Sequence, residues 1–474
     1  MTRRHLDRLT STDASFLQRE TASAHMHIGG LLLFEGPAPA LGALRNHVRR
    51  RLHLVPRYRQ KLVFPPRGGG RPLWIDDPEF ELEWHVRQAS LPAPGDEDLL
   101  TELAASIASR PLDRRRPLWE LWLVDGIRPA TGATVERFAM VAKHHHALVD
   151  GISGVDLATV LLDLTPEPPR PDTTGLRPWR AQRPPDSLEL LCAGVRDGMR
   201  AAISMTTLTA RALATPRRSA TALSEAGTGL SALLAELGRP APRTPLNVPI
   251  GPQRRLRVVS QRLDDYRAIK SSAGVSVNDV VLTVVAGAAG EWLRSRAYDT
   301  DGLELRALVP VSLRAAEERG TLGNRLALMR GPLPVGITDP VRRLRTVSRA
   351  MDGLKRSKQA VGAAALAAMS DRLPPAVLAQ ASRLQFSPWL FNLLVTNVPG
   401  PQVPLYIMGK RLTDLIPVAF LPAGHALAVA VMSYDGRIAY GLLGDHASLP
   451  DMDVLAGGID QSLAQLYDAV GALA

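Results

Sequence analysis

Apolar positions recur with period two in Trp119–Ile127 and in residues 135–144, on either side of turn residues between Gly126 and Gly132, and predict an antiparallel strand pair. Residues 427–433 and 437–443 repeat the pattern around Asp435-Gly436, the dipeptide that two-residue hairpins prefer. Elsewhere the period lengthens to that of a helix. Residues 275–296 read as one, with Ser276 or Asn278 as the capping residue. Residues 153–164 and 187–214 read as two more, the second through Leu188, Leu190, Leu191, Val195, Met199 and Ile203, and a short helix is expected near 230–237. Strands and helices mix in both halves, so the fold class is α/β (α+β): two mixed layers joined by a long crossover.

Seven prolines between 165 and 186 interrupt the pattern, and a second proline-punctuated run follows at 239–252. They divide the chain into residues 1–165, a bridging segment 166–250 and residues 251–474, which suits a length of 474. Cys192 is the only cysteine, so an internal disulfide framework and multi-cysteine metal sites are excluded. Its neighbours Leu190 and Leu191 suggest a buried structural thiol. The net charge of +11 comes from 51 Arg and 6 Lys. That ratio resembles the coding bias of a GC-rich genome more than a nucleic-acid surface, for there is no basic tail and aromatics are 5%. A basic surface would suit anionic lipid or a polyphosphate-bearing substrate; a solvated surface without a partner is the plainer reading. Residues 1–17 lack the apolar core of a signal peptide. The most apolar stretches, 275–293 and 418–432, are broken by Asn278, Asp279 and Glu291 or by Pro422 and His425, so no bilayer span is expected. The expectation is a cytoplasmic protein with at most peripheral membrane attachment.

The chemistry concentrates in FAMVAKHHHALVDGISG, residues 138–154. A strand continued to the end of the histidine run puts Phe138, Met140, Ala142, His144 and His146 on one face and Lys143 and His145 on the other. Asp150-Gly151 marks a turn soon after. Three readings stand side by side. A neutral imidazole can serve as general base toward a hydroxyl. His144 and His146 could chelate a metal with Asp150, although adjacent histidines diverge and no further ligand is evident. The histidines could also be packed side chains without a role.

Residues 145–151, HHALVDG, fit the HHxxxDG signature of the CoA-dependent acyltransferase superfamily, whose members include chloramphenicol acetyltransferases and peptide-synthetase condensation domains. Over nearly its whole length the chain resembles the bacterial wax ester synthase/diacylglycerol acyltransferase family. The matching blocks are residues 10–36, residues 111–126 with Pro117-Leu118-Trp119, residues 276–288 with Asn278-Asp279, PVSLRA at 310–315, LGN at 322–324 and NVPGP at 397–401. The resemblance implies two chloramphenicol-acetyltransferase-like domains with the active site at their interface. It also implies transfer of a long-chain acyl group from acyl-CoA to diacylglycerol or a long-chain alcohol, with no permanently bound cofactor and no metal. A GC-rich composition leans weakly toward diacylglycerol. Contact with a membrane or lipid-droplet surface is part of the expectation and nucleic acid is not; chain length and oligomeric state are not readable.

Registering the signature on Asp150-Gly151 makes His145 and His146 the pair and His146 the base, with His144 an extra histidine whose same-face position would let it support the base. In the superfamily the motif aspartate holds the loop in shape through an arginine, so Asp150 is expected to be structural, with Arg314 as partner. Gly151 suits a tight turn. Asn278 is the candidate oxyanion donor, an ordinary helix cap being the alternative, and Asp279 is given a supporting role. Pro117, Leu118 and Trp119 are candidates for the substrate channel, with core packing as the plainer reading, and so are Asn397, Pro399 and Gly400, which read first as a turn. Two other functions remain open. One is a condensation-type enzyme using a carrier-protein thioester or an amine acceptor; the other is a catalytically idle basic protein that coats lipid surfaces.

Overall fold

The computed structural model describes residues 7–66, 71–129, 135–148, 160–167, 179–196, 199, 240–312, 326–356 and 385–472. The first half runs β1 (Asp7–Arg8), α1 (Ser11–Arg19), β2 (His27–Glu35), α2 (Leu41–Arg51), β3 (Gln60–Val63), β4 (Leu73–Asp76), α3 (Leu82–His85), β5 (Val86–Ser90), α4 (Glu97–Ser109), β6 (Trp119–Ile127) and β7 (Arg137–His145). The second half contributes β8 (Arg254–Arg262), α5 (Leu263–Ala273), α6 (Val277–Ser295), β9 (Leu305–Ser312), β10 (Leu326–Leu333), α7 (Pro340–Arg356) and β11 (Leu393–Pro399). It ends with β12 (Tyr406–Ile407), β13 (Lys410–Val418), β14 (Leu427–Tyr434), β15 (Arg437–Asp445) and α8 (Met452–Gly471).

Two mixed six-stranded sheets result, in the orders β12-β13-β2-β7-β6-β5 and β10-β9-β11-β14-β15-β8. The β6–β7 and β14–β15 pairs are antiparallel neighbours, as their alternation predicts. Asp435 and Gly436 between β14 and β15 both have positive φ, 41° and 79°, the requirement of a type I′ turn. The sheets do not follow the division of the chain by composition. β12 and β13 lie beyond residue 251, yet β13 pairs with β2 from Gly29↔Val418 to Phe34↔Leu412 and extends the first sheet.

β7 is apolar on both faces because a core lies on each side. Phe138 and Met140 join one containing Leu32, Phe34 and Trp119. Ala139 and Val141 join another that both halves build, from Phe16, Met26 and Leu31 of the first and Phe386, Phe391, Phe420 and Leu421 of the second. Gly29 permits the close approach of β2 to β7, since a Cβ there would fall 1.9 Å from the Ala142 carbonyl oxygen. Helix α6 is buried along most of its length in the core of the second sheet. Among the described residues no single helix is long and apolar enough to cross a membrane.

Three expectations change. Residues 162–164 are not helical; Asp163 forms a bridge with Tyr406 instead, and most of the helix expected at 153–164 lies outside the described residues. The helix expected near 230–237 and residues 200–214 lie wholly outside the described residues. Cys192 is exposed rather than buried. Residues 187–196 do form a helix, but it buries Leu190 and Ala193 against Leu73, and Cys192 falls on another face.

Candidate active site

β7 ends at His145. In the β2–β7 ladder His27 stands opposite His145 and Ile28 opposite His144. The His145 N–H donates to the Leu118 carbonyl at 3.0 Å and the His146 N–H to the Met26 carbonyl at 2.8 Å, after which His146–Leu148 close a 3-10 turn. The His145 Nδ1 accepts the Ala147 N–H at 2.9 Å inside that turn. The chain thus leaves strand geometry between His145 and His146, and the expected alternation fails there. His144 lines a cavity of about 420 Å³ with Tyr58, Trp119 and Met140. His146 turns into the core shared by the two halves, its ring stacked on Phe16 (centroids 3.9 Å apart, 18° between planes) and edge-on to Phe420 (5.8 Å, 82°). The His144–His146 pair needed for chelation is therefore split between two faces, and His144 does not share a face with the expected base.

Burial pushes the His146 pKa down to about 3, with small further depressions from His145, His144 and Arg19, so the ring is neutral at ordinary pH. Its Nδ1 is buried and among the described residues has no hydrogen-bond partner. The residue's own carbonyl lies near enough to favour the ionised ring slightly, without the geometry of a hydrogen bond. With Nδ1 enclosed, Nε2 is the nitrogen left to meet a hydroxyl.

Glu20, just past α1, ties this corner together. Its Oε1 lies 3.3 Å from His145 Nε2 and 3.4 Å from His27 Nε2 and accepts the Met26 N–H at 3.1 Å. Its Oε2 accepts from Arg114, through Nε at 3.1 Å and through an Nη2 contact. Burial alone would raise the Glu20 carboxyl, but His145, Arg114 and His27 outweigh it and hold Glu20 well below the usual carboxylate range. Sequence reasoning gave Glu20 no role. The one signal was its place in the first matching block, ahead of His25 and His27.

The remaining site residues fall into separate groups. Pro117, Leu118 and Trp119 are buried; Leu118 supplies the carbonyl that holds His145, and Trp119 donates from Nε1 to the Tyr58 carbonyl at 2.8 Å. Asn278 is not the helix cap. Ser276 caps α6 in a capping box with Asp279, so Asp279 shapes the helix start. Asn278, in the first turn, accepts at Oδ1 from Asn397 Nδ2 at 3.4 Å, which brings two of the matching blocks together. Residues 397–399 are strand rather than turn, because β11 pairs with β14 as far as Pro399↔Ser433. Gly400 follows where a Cβ would meet the Ser433 carbonyl oxygen at 2.2 Å. Asp150, Gly151 and Arg314 lie outside the described residues.

His25, His27, His47, His85, His146 and His425 are all shifted below the ordinary imidazole pKa, burial being the largest cause in each. An unfolded histidine takes up its proton near pH 6.5 while these folded ones resist it. Their contribution is therefore complete above pH 6.5 and is lost as pH falls toward the folded values, which are about 4 for His85 and His425. Each can remove up to about 1.4 kcal/mol per pH unit in that window. Urea midpoints should accordingly fall steeply between pH 7 and pH 5; a flat profile would show these imidazoles to be solvated.

Two known families match the chain: the wax ester synthase/diacylglycerol acyltransferase catalytic domain over residues 9–281 and the WS/DGAT C-terminal domain over residues 322–467. Among individual proteins, the Mycobacterium tuberculosis H37Rv protein named probable diacylglycerol O-acyltransferase tgs2 is 34% identical across 98% of this chain and 100% of its own. The tgs1 protein of that strain, named in the same way, is 33% identical across 97% and 96%. Among solved structures, the wax ester synthase/diacylglycerol acyltransferase from Marinobacter aquaeolei VT8 superposes with a TM-score of 0.67 at 27% identity, covering 98% of this chain and 100% of that one. The trichothecene 15-O-acetyltransferase TRI3 of Fusarium sporotrichioides shares the fold, with a TM-score of 0.58 at 14% identity over 98% and 94% of the two chains.

Proposed function

The chain belongs to the wax ester synthase/diacylglycerol acyltransferase family and transfers acyl groups from acyl-CoA to diacylglycerol, and we propose that it does so by direct attack with His146 as general base. The observation that carries this reading is the neutral His146 ring set between Phe16 of one half and Phe420 of the other. Nε2 takes the proton of the acceptor hydroxyl as its oxygen bonds to the thioester carbonyl carbon. The tetrahedral intermediate collapses, the C–S bond breaks, and the imidazolium returns the proton to the CoA sulfur. No covalent acyl-enzyme is formed. A base with so low a pKa is weak in the empty site, but the negative charge on the tetrahedral oxygen and the leaving sulfur arises beside it and stabilises the imidazolium. Asn278, its Oδ1 engaged by Asn397, keeps an NH₂ group as donor for that oxygen, worth about 3 kcal/mol in such a role.

The candidate position for the acyl chain is the apolar pocket whose wall includes Leu31, Val141 and Phe420, the last also covering His146. The lipid substrates reside in membranes or droplets, and the helix at 187–196, with Met199 beyond it, offers an apolar stripe toward them. Leu188, Leu191, Val195 and Met199 are 68%, 45%, 56% and 60% exposed. Serine at Leu188, Leu191 and Val195 together should lower co-flotation with diacylglycerol-containing vesicles at least about tenfold; unchanged flotation would move the contact elsewhere.

The direct test follows CoA release from palmitoyl-CoA with diolein or hexadecanol as acceptor. Acceptor-dependent release is expected. Silence with both alcohols, alongside turnover of a carrier-protein thioester or an amine, would replace this reading with a condensation-type reaction.

A further inference from the structure

Arg19 closes α1 and points into the aromatic cluster that holds His146. Its guanidinium carbon lies 4.1 Å from the centre of the Phe386 ring and 5.2 Å from that of Phe16. Phe16 stacks on His146, and Phe386 packs against Phe420, which meets His146 edge-on. Nη2 donates to Ser15 Oγ at 3.0 Å. Nε and Nη1 are buried, and among the described residues neither finds an acceptor. The adjacent carboxylate does not serve them, since Glu20 is engaged by His145, His27 and Arg114. Burial is the sole resolved influence on this guanidinium and lowers its pKa to about 9, which still leaves it charged at neutral pH.

A buried cation with two idle donors is costly unless something fills them. Neither an alkyl chain nor a fatty alcohol brings a group suited to the task beyond its reacting hydroxyl. Diacylglycerol does, because the carbon next to the one bearing its free hydroxyl carries an ester. Resting on the acyl-transfer reading above, we propose that Arg19 is a specificity-determining residue whose Nη1 receives an ester carbonyl of the acceptor, favouring acylglycerols over plain long-chain alcohols. Nη1, with two N–H groups and no acceptor of its own among the described residues, can donate to such a carbonyl oxygen while Nη2 keeps its bond to Ser15.

The test compares kcat/KM for diolein and hexadecanol, with palmitoyl-CoA as donor, in the full chain and in Arg19→Met and Arg19→Lys. Arg19→Met should lower the diolein-to-hexadecanol ratio roughly 10–100-fold, the scale of one hydrogen bond to a charged group. Arg19→Lys, which keeps charge and donors, should restore part of the ratio. A merely structural role would depress both acceptors together and leave the ratio unchanged, which overturns the proposal. Preference of the unmodified protein for 1-oleoylglycerol 3-phosphate over diolein would also overturn it, since Arg19 would then be matched to an anion. If the unmodified protein used no alcohol at all, the acyl-transfer reading itself would fail, an outcome distinct from an unchanged ratio.

Discussion

His146→Ala is expected to cut acceptor-dependent CoA release by about 10²–10⁴-fold, the range a positioned general base supplies. The backbone that places the residue does not depend on its ring, because the His146 N–H still reaches the Met26 carbonyl and His145 keeps its bonds to Leu118 and Ala147. The variant should therefore remain folded, with a melting temperature only a few degrees lower for the lost stacking on Phe16. Near-normal turnover in a folded variant would remove His146 as the base. His145→Ala should behave differently and lose stability together with rate, because the His145 ring is a strut between Glu20 and the turn.

Glu20→Ala carries the largest expected cost in stability. The carboxylate is mostly buried, and its removal takes from Arg114 its carboxylate partner, from the Met26 N–H its acceptor, and from His145 and His27 the charge beside their Nε2 atoms. Removing one partner of a mostly buried charge pair costs about 3 kcal/mol, the low end for buried pairs because Arg114 is partly exposed. Turnover should fall with it, since Glu20 holds both the Met26 N–H and the His145 ring while Met26 and Ala147 fix the turn that aims His146. Glu20→Gln, which keeps the shape and an acceptor oxygen, should recover part of the stability. A melting temperature in Glu20→Ala within a degree of the unmodified protein would show that the network is not structural.

Much of the fold around the candidate site was legible along the chain, and the rest was not, for identifiable reasons. The β6–β7 and β14–β15 hairpins join neighbours in sequence, so alternation and an Asp-Gly turn suffice to find them. Helix α6 was visible because its apolar spacing runs unbroken past Asp279. The direction of His146 was hidden because it depends on where β7 stops, and Met26, in another segment, supplies the carbonyl that stops it. Glu20 and Arg19 were hidden by adjacency. One chain step sends the first toward His145 and the second toward Phe386, a divergence that periodicity does not report. Cys192 was misjudged because apolar neighbours in sequence are not neighbours on a helix face.

The pairing of β13 with β2 also governs how the protein can be made. During synthesis β2 leaves the ribosome hundreds of residues before its partner, carrying the sequence HIGGLLLFE with one edge unpaired. The nascent first half must hold Leu31–Phe34 out of intermolecular pairing until residues 410–418 emerge, a long interval for an apolar edge. Chaperone dependence and insolubility of a chain cut after the bridging segment follow from that delay. The same lateness means that the sheet carrying His146 is completed only once the half that supplies Phe420 is nearly finished.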